Sequence, residues 1–116
     1  MIDVNILEQI FKNCWSIDSS SKWTKENPAN GQCGVTSLVL HDLYGGDIVK
    51  TWTNDGWHFY LYINGDRIDL TKSQFREPID YRDNPSSREE AFLDTNMEQY
   101  RYLKGSVLTK IVNFFS

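Results

Sequence analysis

Cysteine is scarce in this chain, which has only Cys14 and Cys33 among its 116 residues. Structural zinc sites need several Cys or His ligands at paired spacings, and the two cysteines and two histidines form no such pattern. We therefore expect no structural zinc and no cofactor. Because reducing compartments do not maintain disulfides, both thiols are expected to be free in a cytoplasmic protein.

Runs of basic residues and long apolar stretches are also missing. The net charge is −4, from 16 acidic and 12 basic side chains, and no two Lys or Arg residues are adjacent. Binding to nucleic acid or to an anionic membrane surface needs a basic patch, so we expect neither partner. No segment approaches the roughly 18 continuous apolar residues of a membrane-spanning helix, and the acidic N-terminal segment does not resemble a signal peptide. These absences favour a cytoplasmic location.

The composition is that of a globular protein with an excess of aromatic residues. Hydrophobic residues make up 40% of the chain, charged residues 24% and aromatic residues 14%. At this length we expect a single domain over residues 1–116, because two independent hydrophobic cores would each be too small. The aromatic excess leaves room for an interface, so we expect a monomer or a weak homodimer.

The first part of the chain predicts two helices separated by a long loop. Asp3 can cap a helix whose apolar residues recur at helical spacing to about residue 12. Residues 16–31 are rich in Ser, Asn, Pro and Gly, and a loop of this length in a small domain is a candidate wall of a binding site. Helical spacing then returns and ends at Gly45-Gly46, so we expect Cys33 in the first turn of a helix.

The middle of the chain predicts strands, with a hairpin as its clearest feature. Residues 47–53 form a short segment rich in β-branched side chains. Two runs of alternating apolar and polar residues flank Asn64-Gly65, the commonest signal for a two-residue hairpin. Pairing around this turn sets Leu61 opposite Ile68 and collects the apolar positions on one face. The other face then carries His58 and Asp69 one diagonal step apart, within reach of a hydrogen bond.

The last part of the chain predicts a capped helix, a break, a second short helix and a final strand. Ser86 or Ser87, with a glutamate three residues later, forms a capping box. We expect a break near residues 94–96 and a second helical piece that reaches Leu103. The final run, SVLTKIVNFFS, is expected to return to the sheet as a strand.

Cys33, His58 and Asp69 follow the chain order of nucleophile, base and orienting acid. A thiol is mostly protonated near pH 7 until a histidine or a helix N-terminus lowers its pKa. Imidazole can carry the proton, and a carboxylate on its other nitrogen fixes the tautomer and the orientation of the ring. We therefore predict an α+β fold with a papain-like or transglutaminase-like arrangement, in which the N-terminal helix and the nucleophile-bearing helix pack on a small antiparallel sheet.

Neighbouring residues are candidates for supporting roles. Gln32 and Gly34 flank the thiol, and the backbone amides of this turn are candidate donors to an oxyanion. Tyr60 and Tyr62 share the polar face of the predicted hairpin, and Trp23 lies in the long loop. We therefore expect these three aromatic residues to line a substrate pocket.

Each candidate also has an ordinary structural interpretation. Cys33 can be a packing residue, because small buried cysteines in helices are common. His58 can be a strand residue whose ring is satisfied by hydrogen bonds, and Asp69 can pair with Arg67 or cap a turn. Cys14 has no obvious base beside it in the sequence, so we interpret it as a core residue.

Several motifs occur together in one order: CWS at residues 14–16, NPANGQCGVTSLVL at residues 27–40, the GG that follows, WHFY at residues 57–60 and IDLTKSQF at residues 68–75. In this combination the chain resembles the bacterial YunG-like family over nearly its whole length. The resemblance implies a small cytoplasmic bacterial protein and supports the fold more than any activity. The matching positions in the candidate site are Gln32, Cys33, Gly34, His58 and Asp69.

The letters GQCG also occur in papain-type enzymes, but in a different role. In those enzymes the glutamine serves the oxyanion hole and the nucleophilic cysteine follows a few residues later, whereas no cysteine follows Cys33 here. The resemblance to papain is therefore one of arrangement, without a common register.

Functions from different classes are open at this point. The first is a thiol-dependent hydrolase or acyltransferase in which His58 deprotonates Cys33 for attack on an amide or thioester of a small molecule or peptide. The second is a noncatalytic binding or interaction domain on the same scaffold. A third is an accessory subunit of an enzyme.

Overall fold

The computed structural model describes residues 3–115, with no side-chain description for residue 115. Within this range lie four α-helices and a four-stranded antiparallel sheet, which confirms the α+β prediction. In chain order they are α1 (Val4–Cys14), α2 (Cys33–Tyr44), β1 (Asp47–Thr53), β2 (Gly56–Ile63), β3 (Asp66–Ile68), β4 (Asn84–Pro85), α3 (Arg88–Leu93) and α4 (Met97–Phe115). No helix within these residues has the length and apolar character needed to cross a membrane.

The helix ends follow from capping residues that the sequence displays. The Asp3 carboxylate accepts a hydrogen bond from the amide of Ile6 at 3.2 Å and starts α1. Ser87 starts α3 in the same way, accepting from the amide of Glu90 at 3.2 Å. Gly45 ends α2 with φ +72°, a conformation that glycine adopts without steric cost. The predicted helix starts are confirmed, and α1 extends slightly past its predicted end.

The sheet has the order β3-β2-β1-β4, and its central hairpin has the predicted register. Leu61 lies opposite Ile68 in the β2–β3 pair. Asn64 and Gly65 both have positive φ, as a two-residue turn of this kind requires. On its other side, β2 pairs with β1, where His58 lies opposite Thr51.

The prediction of a C-terminal strand is wrong. Residues 106–115 continue α4 as part of one 19-residue helix, and the fourth strand is instead β4, which forms in the turn-rich segment. Leu103, Val107 and Ile111 recur every four residues along α4 and pack into the core. Burial of this helical stripe outweighs the modest helix propensity of β-branched residues. Ser116, the last residue of the predicted strand, lies outside the described residues.

The sheet is covered on both faces at its centre. On one face α2 packs against β1 and β2, and Leu38 of α2 shares the core with Phe59 and Leu61 of β2. Because side chains alternate along a strand, His58 and Tyr60 point to the other face. Residues 75–83 cross that face, and as a result both side chains are almost completely buried.

The predicted loop between α1 and α2 contains no helix or strand and is held in place by hydrogen bonds. The indole N–H of Trp15 donates to the hydroxyl of Thr36 at 3.0 Å. The side-chain amide of Asn27 donates to the carbonyl of Gln74 at 3.2 Å, which ties the loop to the segment after β3. Gly31 has φ +73°, and a Cβ there would collide with neighbouring side chains. The loop therefore packs as a wall beside the start of α2.

Candidate active site

The hairpin brings His58 and Asp69 together in the interior. His58 lies on β2 and Asp69 directly follows β3, with the Nε2 of His58 2.7 Å from the Oδ2 of Asp69. Their side chains are 1% and 4% exposed. A carboxylate at Nε2 favours the tautomer that carries its proton there, which makes Nδ1 an acceptor. Within residues 3–115 this buried Nδ1 has no hydrogen-bond partner, so its lone pair is available to a reacting group.

Asp69 is held by several donors at once. Its Oδ2 also accepts from the hydroxyl of Tyr81 at 2.8 Å, and its Oδ1 accepts from the amide of Thr71 at 3.2 Å and the hydroxyl of Thr71 at 3.3 Å. Burial, followed by the charge of Asp69, raises the pKa of Tyr81, so its hydroxyl stays protonated and donates. These bonds fix the Asp69 carboxylate, and the carboxylate in turn fixes the ring of His58.

Aromatic side chains cover the His58 ring. Phe75 stands edge-on to it, with ring centroids 4.9 Å apart, and Tyr60 lies nearly parallel to it at 5.9 Å. Phe75 also lines an open groove of about 560 Å³ beside Trp52 and residues 74–80. Phe75 therefore contacts the His58 ring and also lines the groove.

Cys33 opens α2 and lies beside strand β2. The β2–β3 ladder stops at Leu61, and the backbone of Phe59 lies close enough to the Cys33 thiol to lower its pKa. The Sγ itself donates to the Oδ2 of Asp94 at 3.4 Å, and no hydrogen bond within the described chain joins it to His58. Burial, followed by the charge of Asp94, raises the pKa of Cys33 far above its ordinary value. In this conformation the thiol is therefore protonated at neutral pH.

The two residues that flank Cys33 occupy different environments. Gln32 is completely buried, and neither atom of its side-chain amide has a hydrogen-bond partner among residues 3–115. Buried polar groups are usually hydrogen-bonded, so an unpaired amide beside the thiol is a candidate for binding a ligand. Gly34 donates its backbone N–H to the Oδ2 of Asp94 at 3.0 Å. The predicted oxyanion region thus contains the unpaired side-chain amide of Gln32 and the backbone amide of Gly34, which is hydrogen-bonded to Asp94.

The three aromatic residues predicted to line a pocket lie in different environments. Trp23 is half-buried and packs against the hydrophobic core. Tyr60 is 1% exposed, and its hydroxyl donates to the carboxylate of Asp83 at 2.7 Å and accepts from the amide of Asp83 at 2.8 Å. Tyr62 is half-buried on β2 opposite Arg67. The hydroxyl of Tyr60 is therefore already engaged by Asp83.

Other groups of the site carried little signal in the sequence. Asp94 stood out only as part of a helix break, and Tyr81 and Phe75 lie in or next to a turn-rich stretch without periodicity. Thr71 offered one usable clue, because a threonine two residues after an aspartate commonly hydrogen-bonds back to it. The contacts of Asp94 and Tyr81 depend on how residues 75–96 fold back over the sheet and α2.

Both cysteines are free, as expected from the sequence. Cys14 is 3% exposed and belongs to the hydrophobic core, and burial raises the pKa of its thiol. Across residues 3–115 no group of three or more His, Cys, Asp and Glu side chains is arranged to hold a metal ion.

Comparison with known proteins places the whole site inside one family. Residues 3–112 match the family model described as YunG protein. A protein of Bacillus subtilis (strain 168), titled "Uncharacterized protein YunG", is 57% identical over 98 residues, which cover 84% of this chain and 85% of that protein. No solved structure matches the chain. The chain belongs to the YunG protein family.

Proposed function

We propose that the protein is a thiol-dependent hydrolase or acyltransferase acting on an amide or thioester carbonyl of a small molecule or peptide. One observation carries the proposal: His58 keeps Nδ1 unpaired while Asp69 holds its Nε2, and Cys33 lies close enough to Phe59, the next residue on β2, for the Phe59 backbone to lower the pKa of the thiol. The nucleophile at the start of α2 thus lies beside the strand that carries the base, an arrangement similar to that of papain-like cysteine hydrolases. The free thiols support action in the cytoplasm.

The first half of the reaction forms an acyl-enzyme. His58 Nδ1 takes the proton from Cys33 Sγ, and the sulfur attacks the carbonyl carbon and forms a C–S bond. The resulting oxyanion accepts hydrogen bonds from the backbone amides at the start of α2, with the side-chain amide of Gln32 as a further donor. Collapse of this intermediate breaks the C–N or C–S bond of the substrate, and the proton on His58 passes to the leaving amine or thiolate.

The second half releases the acyl group. Water, in a hydrolase, or another nucleophile, in an acyltransferase, gives a proton to His58 and attacks the acyl carbon. The bond to Cys33 breaks, and the thiolate takes the proton back from His58. Throughout both halves Asp69 keeps the ring oriented and stabilises the imidazolium that forms in the interior.

Acylation by p-nitrophenyl acetate tests the proposal in a Cys14→Ala background, where Cys33 is the sole thiol. We expect a burst of p-nitrophenolate and an acetyl group on Cys33, detected by intact mass. His58→Gln should slow acylation about 10²- to 10⁴-fold, the usual contribution of a general base. The matched control is His41→Gln, which removes the other histidine and should leave the rate unchanged. Equal rates in both variants, or no acylation of the parent protein, would sink the proposal.

A noncatalytic binding domain is the second candidate, and the state of the thiol favours it. Cys33 is buried, its pKa is raised, and it donates to Asp94. These three properties are all that a cysteine with a purely structural role in packing requires. The same experiment separates the two candidates, because a packing cysteine takes no acetyl group in the folded protein and gains no reactivity from His58.

A further inference from the structure

The junction between α3 and α4, residues 94–96, places a carboxylate against the candidate nucleophile. We call these residues the α3–α4 corner. The Oδ2 of Asp94 accepts two hydrogen bonds, one from the backbone amide of Gly34 at 3.0 Å and one from the thiol of Cys33 at 3.4 Å. Although Asp94 is an exposed residue overall, this oxygen is directed at the first turn of α2.

The packing around Gly34 allows this contact. A Cβ at position 34 would lie 2.6 Å from the Oδ2 of Asp94 and 2.9 Å from the carbonyl oxygen of Ala91, which belongs to α3. Real Cβ atoms do not approach other atoms so closely, so only glycine lets the corner sit this near to the helix start. The position of Asp94 therefore depends on a backbone-to-backbone fit between α2 and the end of α3.

The charged groups around the pair act in opposite directions. Burial raises the pKa of Cys33 most, and the negative charges of Asp94 and, more weakly, Asp69 raise it further. Burial also raises the pKa of Asp94, while its hydrogen bonds to Cys33 and Gly34 and the nearby charge of Lys22 lower it. A carboxylate at this position thus keeps the thiol protonated, whereas the amide that it occupies is one that an acyl oxyanion would use.

We propose that Asp94 is a positioning residue for Cys33: its carboxylate holds the thiol in a protonated resting state and occupies the Gly34 amide until a substrate carbonyl replaces it. The part of this inference that concerns the oxyanion rests on the proposed function. The part that concerns the protonation of Cys33 does not, since it follows from the burial of the thiol and from its hydrogen bond to the Asp94 carboxylate. A substrate that enters the site must therefore displace a carboxylate from both donors before the thiolate forms.

The test is the pH dependence of Cys33 alkylation by iodoacetamide, again in the Cys14→Ala background. Asp94→Asn keeps an oxygen that can accept from Gly34 but removes the negative charge. We expect the midpoint of its alkylation profile to fall by at least about one pH unit, so that the rate below the midpoint rises about tenfold. Asp66→Asn, which removes a charge from an exposed position on β3, is the matched control and should leave the profile unchanged.

Two outcomes would overturn the inference. One is an Asp94→Asn profile with the parent midpoint. The other is a rate that rises by the same factor above the midpoint as below it, because that result reports a looser corner with no change in the pKa of the thiol. If Asp94→Asn does not fold, Asp94→Ser provides an uncharged acceptor in its place and should lower the midpoint in the same way.

A background variant separates this inference from the proposed function. In His58→Gln the shift caused by Asp94→Asn should persist, because the charge of Asp94 acts on Cys33 directly. If His58 proves not to be the base, the proposed function fails while the Asp94 shift still appears. If the shift is missing from the Cys14→Ala protein, the Asp94 inference fails whatever His58 does.

Discussion

Replacing Gly34 by alanine measures how tightly the α3–α4 corner is seated on α2. The new Cβ would lie 2.6 Å from the Oδ2 of Asp94, 2.8 Å from its Cβ and 2.9 Å from the carbonyl oxygen of Ala91. Overpacking of this kind costs about 1–3 kcal/mol. Loss of the hydrogen bond from Gly34 to Asp94 costs about 1 kcal/mol more, and the better helix propensity of alanine offsets a similar amount. The free energy of unfolding should therefore fall by about 1–3 kcal/mol.

Gly105→Ala is the matched control for this prediction. Gly105 also lies in a helix, but nothing lies within 4 Å of a Cβ built there. Alanine should therefore raise the free energy of unfolding by about 0.5–1 kcal/mol. Urea unfolding followed by tryptophan fluorescence should give shifts of opposite sign with equal slopes. The reasoning is refuted if Gly34→Ala is as stable as the parent protein, or if both variants lose stability equally.

Two further predictions concern the long loop and the acid limit of stability. Trp15→Phe removes the hydrogen-bond donor to the buried hydroxyl of Thr36, so the free energy of unfolding measured by urea titration should fall by about 1–3 kcal/mol. The control is Trp52→Phe at an exposed position, which should change the free energy of unfolding by less than about 0.5 kcal/mol. Hydrogen bonds from Arg67 hold the pKa of Asp83 in the folded protein below its ordinary value. The stability that these hydrogen bonds give the folded state is therefore fully present above the ordinary carboxyl pKa, and it is lost as the pH falls through the lower pKa of the folded state. Asp83→Asn should therefore flatten the acid side of the stability-pH curve, and an unchanged slope in urea titrations from pH 6 downwards would contradict this assignment.

Elements with a local chemical signal could be predicted from the sequence. The caps at Asp3 and Ser87 each depend on residues within one helical turn, and the Asn64-Gly65 turn sets the register of two adjacent strands. The hydrogen bond between His58 and Asp69 followed from that register, because side-chain alternation leaves no freedom once the apolar pairs are aligned.

Features that depend on distant contacts could not be predicted. The end of α4 has residues that suit a strand or a helix, and only the burial of Leu103 and Val107 against other helices decides between them. Asp94 and Cys33 are 61 residues apart in the sequence, and no sequence pattern predicts their contact. That contact also explains why a helix N-terminus did not lower the pKa of the thiol, since burial and a neighbouring carboxylate outweigh the helix dipole.

The position of β2 in the sheet has a consequence for aggregation. Residues 57–63, WHFYLYI, form an uncharged run without proline, the kind of segment that stacks into cross-β fibrils when it is exposed. In the fold the run pairs with β1 along most of its length, residues 61–63 also pair with β3, and the strands at the two edges of the sheet are only three and two residues long, the second ending in Pro85. These short edge strands offer no long template to another molecule. Fibril formation should therefore require unfolding of the hairpin, so conditions that open the sheet would also make the protein irreversibly aggregate.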